Sequence, residues 1–424
     1  MFNKIFQIFR VRELRNKILF VLAVFAVFRL MANIPIPGVD PQNLKALFED
    51  LSIFGLLNIF TGGALERVSI VMLGVGPYIT ASIIFQLLTM IFPQLEEMYR
   101  EEGEAGRQKF NQYARIATVP LASLQAYTML MLLERREVIG ILAPKLLLTS
   151  VLTITAGTIL LMWLGELISE KGIGEGVSLL IFAGIAADLP NNIFQMLAGW
   201  NPGQLPSYLL FFAMSLLIIT GVVIVNEGRR NIPVSYAKRV RGGKMYGGAS
   251  TYLPMNINPA GVMPIIFSMS ILLLPSMMAS FLEGKTGGIV GMFQKVVSLL
   301  GDPFIYGILY FGLVFLFTYF YTMITFDPET IADNLKKMGG FVPGIRPGSS
   351  TVHYLSFVLN RVLPFGALFL SSIAVMPSII GKLTGIVAFQ FLIGGTSLLI
   401  VVSVILETMR QINAQLQMRE YDTF

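Results

Sequence analysis

The chain of 424 residues has no cysteine, a single histidine (His353) and few charges, with Asp, Glu, Lys and Arg making up only 13%. Without cysteine there is neither a disulfide framework nor a thiolate metal site. One loop histidine has no second imidazole to share a metal with, so His353 reads as an ordinary residue near a membrane surface. Soluble domains carry about 25% charged residues. A chain that is 54% hydrophobic cannot hide that surface in a soluble core, and the composition points to an integral membrane protein. Charges within the hydrophobic runs are scarce too. Arg29, Glu166, Asp188 and Arg361 sit near the ends of runs, and no row of carboxylates forms a proton or ion relay. No cleavable signal peptide is expected, because the first apolar run, from about Ile18, is long and lacks a small-residue cleavage site.

Nucleotide motifs are also missing. "EGKTGG" (283–288) contains Gly-Lys-Thr, but a phosphate-binding loop needs glycine at position 279, which is Ala279. "KGIGEG" (171–176) is rich in glycine but lacks the dinucleotide spacing, and reads as a tight turn before a helix.

What the chain does have is long apolar runs. Ten candidate spans of roughly 18 or more residues lie near 17–34, 73–92, 115–133, 146–166, 177–197, 205–226, 259–282, 303–326, 353–377 and 384–407. An even number puts both termini on one side. If that side is the cytoplasm, its segments hold 22 of the 31 Lys and Arg residues against 8 outside, with Arg29 inside the first span. This distribution follows the positive-inside rule. The spans divide five and five near Trp200, into an N-terminal half (1–200) and a C-terminal half (201–424). An odd number per half gives the halves opposite orientations, as in an inverted repeat.

Two cytoplasmic loops are large. In 226–258, Ile232, Val234 and Tyr236 alternate and "RGGK" (241–244) supplies a turn, so a basic β-hairpin is expected. In 327–355, a short amphipathic helix (329–338) precedes the stiff "VPGIRPG" run. Either loop is big enough to dock a partner.

Between spans one and two lies "SIFGLLNIFTGG" (52–63), a helix-like run that opens on Ser52 and stops at Gly62 and Gly63. It is too short to cross a bilayer, so it must lie at the interface or fold back into a cavity within the protein. The spans offer small and apolar groups elsewhere. Val75 and Ile79, and again Val177 and Ile181, are spaced i, i+4 on one helical face. Ordinary helix packing accounts for such pairs as well as a shared constriction does.

Several long motifs then appear in a familiar order. "FRLMANIPIPGVD" (28–40), "FTGGALERVSI" (60–70), "LGVGPYITASIIFQLL" (73–88), "LMWLGELISEKGIGEGVSLLIFAGI" (161–185), "DNLKKMGGFVPGIRPG" (333–348) and "GGTSLLIVVSVILE" (394–407) resemble the bacterial SecY family. The resemblance runs from about residue 10 to 410. It implies an all-α integral membrane fold. Ten transmembrane helices would form two pseudo-symmetric, inverted five-helix halves around a central pore, with a short plug helix and a cytoplasmic β-hairpin. The implied function is a non-enzymatic protein-conducting channel in the bacterial cytoplasmic membrane, without a cofactor. It would pass unfolded preproteins across and release membrane segments sideways into the lipid bilayer.

The resemblance also assigns residues. The pore ring would be Val75, Ile79, Val177, Ile181, Ile266 and Ile400, two of them valine where the family mostly has isoleucine. Ser52, Ile53, Phe54, Leu57, Phe60, Gly62 and Gly63 would belong to the plug. The lateral gate, between spans two and three and spans seven and eight, would use Thr80, Ser82, Gln86, Gln125 and Ser268, unless these merely satisfy backbone carbonyls. Arg229, Arg230, Lys238, Arg239, Arg241 and Lys244 would meet ribosomal RNA phosphate, and Arg346 the motor ATPase SecA. SecE, SecG and signal peptides complete the implied partners. A secondary transporter should instead have polar groups at midspan, and an intramembrane enzyme an activated nucleophile, base or metal at membrane depth.

Overall fold

The structure is a computed structural model, and it describes residues 11–36, 64, 68–89, 91–100, 103–135, 139–140, 143–198, 203, 205–236, 239–241, 244–246, 250–282, 288–384 and 395–422. The expected plug segment 52–63 and Lys238 lie outside these residues. Helices dominate: α1 (Arg12–Ala32), α2 (Gly76–Thr89), α3 (Pro93–Arg100), α4 (Gly103–Arg135), α5 (Pro144–Lys171), α6 (Gly176–Ala198) and α7 (Leu205–Glu227) come first. The hairpin strands β1 (Arg229–Tyr236), β2 (Arg239–Arg241), β3 (Lys244–Tyr246) and β4 (Ser250–Asn256) follow. Then come α8 (Met263–Leu282), α9 (Gly288–Leu300), α10 (Pro303–Thr325), α11 (Pro328–Lys337), β5 (Gly340–Phe341), α12 (Ser349–Thr384) and α13 (Gly395–Asp422).

Each expected span overlaps a helix, with 385–394 of the tenth lying outside the described residues, although not all are long or apolar enough to span alone. Among the described residues, six helical stretches meet both conditions, and α2 with α3, bent by 111°, would make a seventh. Gly176–Pro190 and Met263–Leu272 are shorter apolar helices. The α1 helix carries Arg12, Glu13, Arg15, Lys17 and Arg29, which dilute its apolar run. Prolines interrupt α6 at Pro190 and α8 at Pro275, each removing a helical donor. The chain is a multi-pass membrane protein. Its exposed large side chains include Leu209, Phe212, Leu216 and Leu217 on α7, as expected of a surface whose solvent is lipid.

Helix caps explain several boundaries. Asp302 precedes α10 and accepts from the Phe304 amide at 2.8 Å, with Pro303 at the first helical position. Asp327 and Pro328 do the same for α11, with Glu329 N–H donating at 3.0 Å. The close approaches rest on glycine. A Cβ on Gly176 would stand 1.7 Å from the Gly165 carbonyl oxygen, which is why α5 and α6 can pack at their turn.

The largest buried cluster joins α1, α2, α5, α6, α7, α8, α10, α12 and α13. A second lies between α4, α5 and the segment around Val68 and Met72. A third, of Ile232, Met255, Ala332, Val342, Leu355, Val358 and Leu359, holds the two large loops to α12.

Candidate pore and docking surfaces

The second span begins with stacked turns. Gly74 N–H donates to Val71 at 2.8 Å, Gly76 N–H to Leu73 at 3.2 Å and Ile79 N–H to Val75 at 3.1 Å. Gly74 has φ 56°, a left-handed conformation suited to glycine. The result brings Val75 and Ile79 inward at the start of α2, where both are buried. A Cβ on Gly76 between them would meet no atom of the described residues within 4 Å.

The fifth span is set by a tighter device. Gly174, at φ 95°, donates its N–H to Gln411 Oε1 on α13 at 2.8 Å. Gly176 N–H donates to Ser169 Oγ at 2.9 Å. Glu175 between them accepts a short hydrogen bond from Ser178. Although Glu175 is exposed as a residue, partial desolvation of its carboxyl at this turn pushes its pKa up, the Ser178 hydroxyl pulls it back in part, and the neighbouring Glu407 carboxylate raises it further. This turn starts α6 so that Ile181 is buried and Val177 half-buried. Ile266 on α8 and Ile400 on α13 are buried at 3% and 0% exposure. Five of the six candidate ring residues are members of the largest apolar cluster, and Val177 packs against it. Five of the six are buried within the protein.

The candidate gate residues behave less uniformly. The α8 helix packs against α2, α4 and α10, the helices of the expected seam. Within it, Thr80 donates to Gly76 O at 3.0 Å and Ser268 to Pro264 O at 2.7 Å, both within their own helices. For these two, the backbone-satisfying reading fits. Gln125 is buried, and its carbonyl oxygen accepts from Thr128 Oγ1 at 3.0 Å. Ser82 is half-buried. Gln86 is different, because its buried Oε1 has no hydrogen-bond partner among the described residues. Beside the seam, Phe85, Tyr99, Phe110 and Tyr113 make an aromatic bracket, with Tyr99 and Phe110 centroids 4.9 Å apart, that ties α3 to α4.

The hairpin folds as its alternation implies. β1 pairs antiparallel with β4 from Arg229↔Asn256 to Ser235↔Ser250, and β2 with β3 from Arg239↔Tyr246 to Arg241↔Lys244. Ile232 and Val234 point into the protein at 1% exposure, while Arg229 and Arg230 stay exposed. Arg239, Arg241 and Lys244 lie on the far pair of strands. β1 also pairs with β5 at Ser235↔Phe341 and Tyr236↔Gly340. The loop carrying exposed Arg346 therefore shares one three-stranded sheet, β4-β1-β5, with the hairpin. The sequence showed two loops, and the structure joins them in one sheet held on α12.

Three further features had little sequence signal. α9 is an unforeseen helix in the loop that contains "EGKTGG". Arg115 pairs with Glu166, and Arg29 with Asp188 at 3.0 Å, so charges near span ends are matched across helices. The segments after α1 and before α2 form a small antiparallel bridge, Pro35↔Ser69, with Ile36 N–H donating to Val68 O and Ile70 N–H to Ile34 O, each at 3.0 Å. Val68 is held there at φ 41°, unusual for a β-branched residue, and Gly157 of α5 leaves room for the Ile70 carbonyl. Only the glycine could have been flagged in advance. Among the described residues, no group of His, Asp and Glu could hold a metal ion.

Comparison with known proteins agrees with this architecture. The SecY family profile matches residues 69–409. The protein translocase subunit SecY of Streptomyces galbus is 45% identical, over 98% of each chain. That of Corynebacterium glutamicum is 42% identical over 99% of each. Among solved structures, a protein conducting channel superposes with a TM-score of 0.65 at 18% identity, covering 93% of this chain and 91% of the other. Sec61 in the canine ribosome-channel complex gives 0.62 at 18% identity over the same shares. Shared fold, near-complete coverage and high identity to bacterial relatives lead to one conclusion: the chain belongs to the SecY family.

Proposed function

We propose that the chain is a passive protein-conducting channel of the bacterial cytoplasmic membrane. It spans the bilayer ten times with both termini in the cytoplasm, and its two five-helix halves meet around the pore. The observation that carries this reading is that Val75, Ile79, Ile181, Ile266 and Ile400, drawn from four spans, are buried in one apolar cluster, with half-buried Val177 packed against it. A ring of branched apolar side chains is a poor solvent for ions and water, so it gates by dewetting. Such side chains make no specific hydrogen bonds and adapt to unrelated polypeptides. The run 52–63 acts as a plug, a second barrier hinged at Gly62 and Gly63.

Signal sequences leave through the seam of α2 and α4 with α8 and α10. Polar contacts between membrane helices contribute only about 0.6 kcal/mol each, so a hydrophobic segment can compete with them. The platform of hairpin and Arg346 loop docks ribosomes and the motor ATPase SecA, and SecE and SecG complete the complex. The exposed arginines of the hairpin favour RNA phosphate by charge rather than by base reading. Energy comes from these partners.

The test uses the natural absence of cysteine. Single substitutions Ile79→Cys and Ile400→Cys are introduced into the chain within its membrane complex, and a secretory chain is stalled on the ribosome. Crosslinks from the stalled chain to both cysteines are expected. Adducts at neither position would overturn the reading.

A further inference from the structure

The base of the hairpin is bound to the last helix by a polar network. Arg410 on α13 donates from Nε and Nη2 to Glu227 Oε1 at 3.0 and 2.7 Å, and from Nη2 to the Asn226 carbonyl at 2.5 Å. Asn226 Nδ2 donates to Ser403 Oγ at 2.6 Å, while its Oδ1 accepts from Asn258 Nδ2 at 3.0 Å. Asn258 also donates to Gly261 O at 3.1 Å, where the chain enters α8. Both ends of the hairpin meet here, since Ile257 N–H donates to Gly228 O at 2.9 Å.

The fit is close on another side too. A Cβ on Gly366 of α12 would stand 2.5 Å from the Ile257 carbonyl oxygen, and one on Gly228 would stand 2.5 Å from the Ile257 side chain. The hairpin base therefore has little freedom to tilt without moving α12 or α13. Opposite this contact, the next residue of α13, Gln411, accepts from Gly174 N–H at the turn that starts α6. Ile400, Ser403 and Arg410 recur three and seven residues along α13, on one helical face.

We propose that the cytoplasmic end of α13 is the coupling element between the docking platform and the pore ring, with Arg410 as its positioning residue. The proposal rests on the channel reading above. A partner that presses on the hairpin tilts its base, the ion pair to Glu227 and the Asn226–Ser403 bond carry that displacement to α13, and Ile400 moves with the helix. Gln411 passes part of the same motion to the start of α6, which bears Val177 and Ile181. Arg410 touches neither partner nor translocating chain in this scheme. Its role is to make the two sites respond together.

The experiment takes the membrane complex containing the full chain with Ile400→Cys as parent. Ribosomes carrying a stalled secretory chain are the probe. Docking affinity is measured by flotation with proteoliposomes, and the rate of adduct formation at position 400 is followed separately. Arg410→Gln is expected to leave docking affinity within about two-fold and to slow the adduct by about five-fold or more, the lower end of typical coupling energies. Ser403→Ala, which spares the ion pair, should act in the same direction by less. Exchanging the charges, with Glu227→Arg and Arg410→Glu together, should restore most of the rate. Unchanged adduct rates in both single variants would overturn the coupling, as would slowing that only mirrors lost docking or that the charge exchange fails to relieve. A parent that docks yet never forms the adduct would contradict the channel reading itself, and the coupling with it.

Discussion

Glu175 is the residue whose chemistry differs most from its surroundings. Glu175 is exposed as a residue, but protein atoms crowded around its carboxyl at the turn into α6, with Glu407 nearby, keep its pKa in the folded chain above the unfolded value. Below the unfolded value both states are protonated and nothing is gained or lost. As pH rises through the window between the two values, the unfolded chain releases its proton first, and folded-state stability falls. Glu175→Gln keeps an acceptor for Ser178 without the charge. It should therefore unfold at a higher temperature than the parent near neutral pH, with the difference closing as pH falls to about 4. Thermal unfolding in detergent across that range checks the sign. Gln86 offers a second case. Its buried Oε1 has no partner among the described residues, which costs about 1–3 kcal/mol. Gln86→Leu should raise thermal stability and, by favouring the closed seam, demand more hydrophobic signal sequences. Unchanged signal-sequence stringency would remove Gln86 from the gate. The sequence singled out Gln86 near a seam and 171–176 as a tight turn, but neither the crowding around the Glu175 carboxyl nor the missing partner of Gln86 can be read from residue type alone.

Helices were the most legible elements, because a long apolar run in a low-charge chain has few other fates. Each expected span overlaps a helix among the described residues, and the paired strands β1 and β4 follow from the alternation of Ile232, Val234 and Tyr236. The pairing of β5 with β1 was not legible. Two residues, Gly340 and Phe341, make no periodic pattern, and their partner lies about a hundred positions earlier. Close helix approaches were equally hidden, since a glycine in a membrane helix has many uses. At Gly176 the use is clear: a Cβ would collide with the Gly165 carbonyl. Gly176→Ala should cost about 1–3 kcal/mol through forced separation of α5 and α6. It should also displace Val177 and Ile181, and so reduce crosslinking of a stalled chain to cysteine at either position. A variant as stable as the parent would show that the turn has slack.

At the scale of the whole molecule, two regions carry the account: an apolar waist and a platform made from two loops, with α13 reaching both. Only the resemblance to the family singles out Ile266 and Ile400 for the proposed waist, because they belong to no local pattern and spacing does not mark them. Their joint burial with Val75, Ile79 and Ile181 is a tertiary fact. It arises from four helix starts that a sequence reading fixes one at a time but cannot bring together. The most direct measurement is a crosslink across that waist. In a chain with no other cysteine, Ile79→Cys and Ile400→Cys are combined and treated with a short bifunctional thiol reagent. The account predicts an efficient intramolecular crosslink in the resting channel, lost when a secretory chain is stalled inside. A resting channel that does not crosslink, or one whose crosslink is indifferent to the stalled chain, would contradict it.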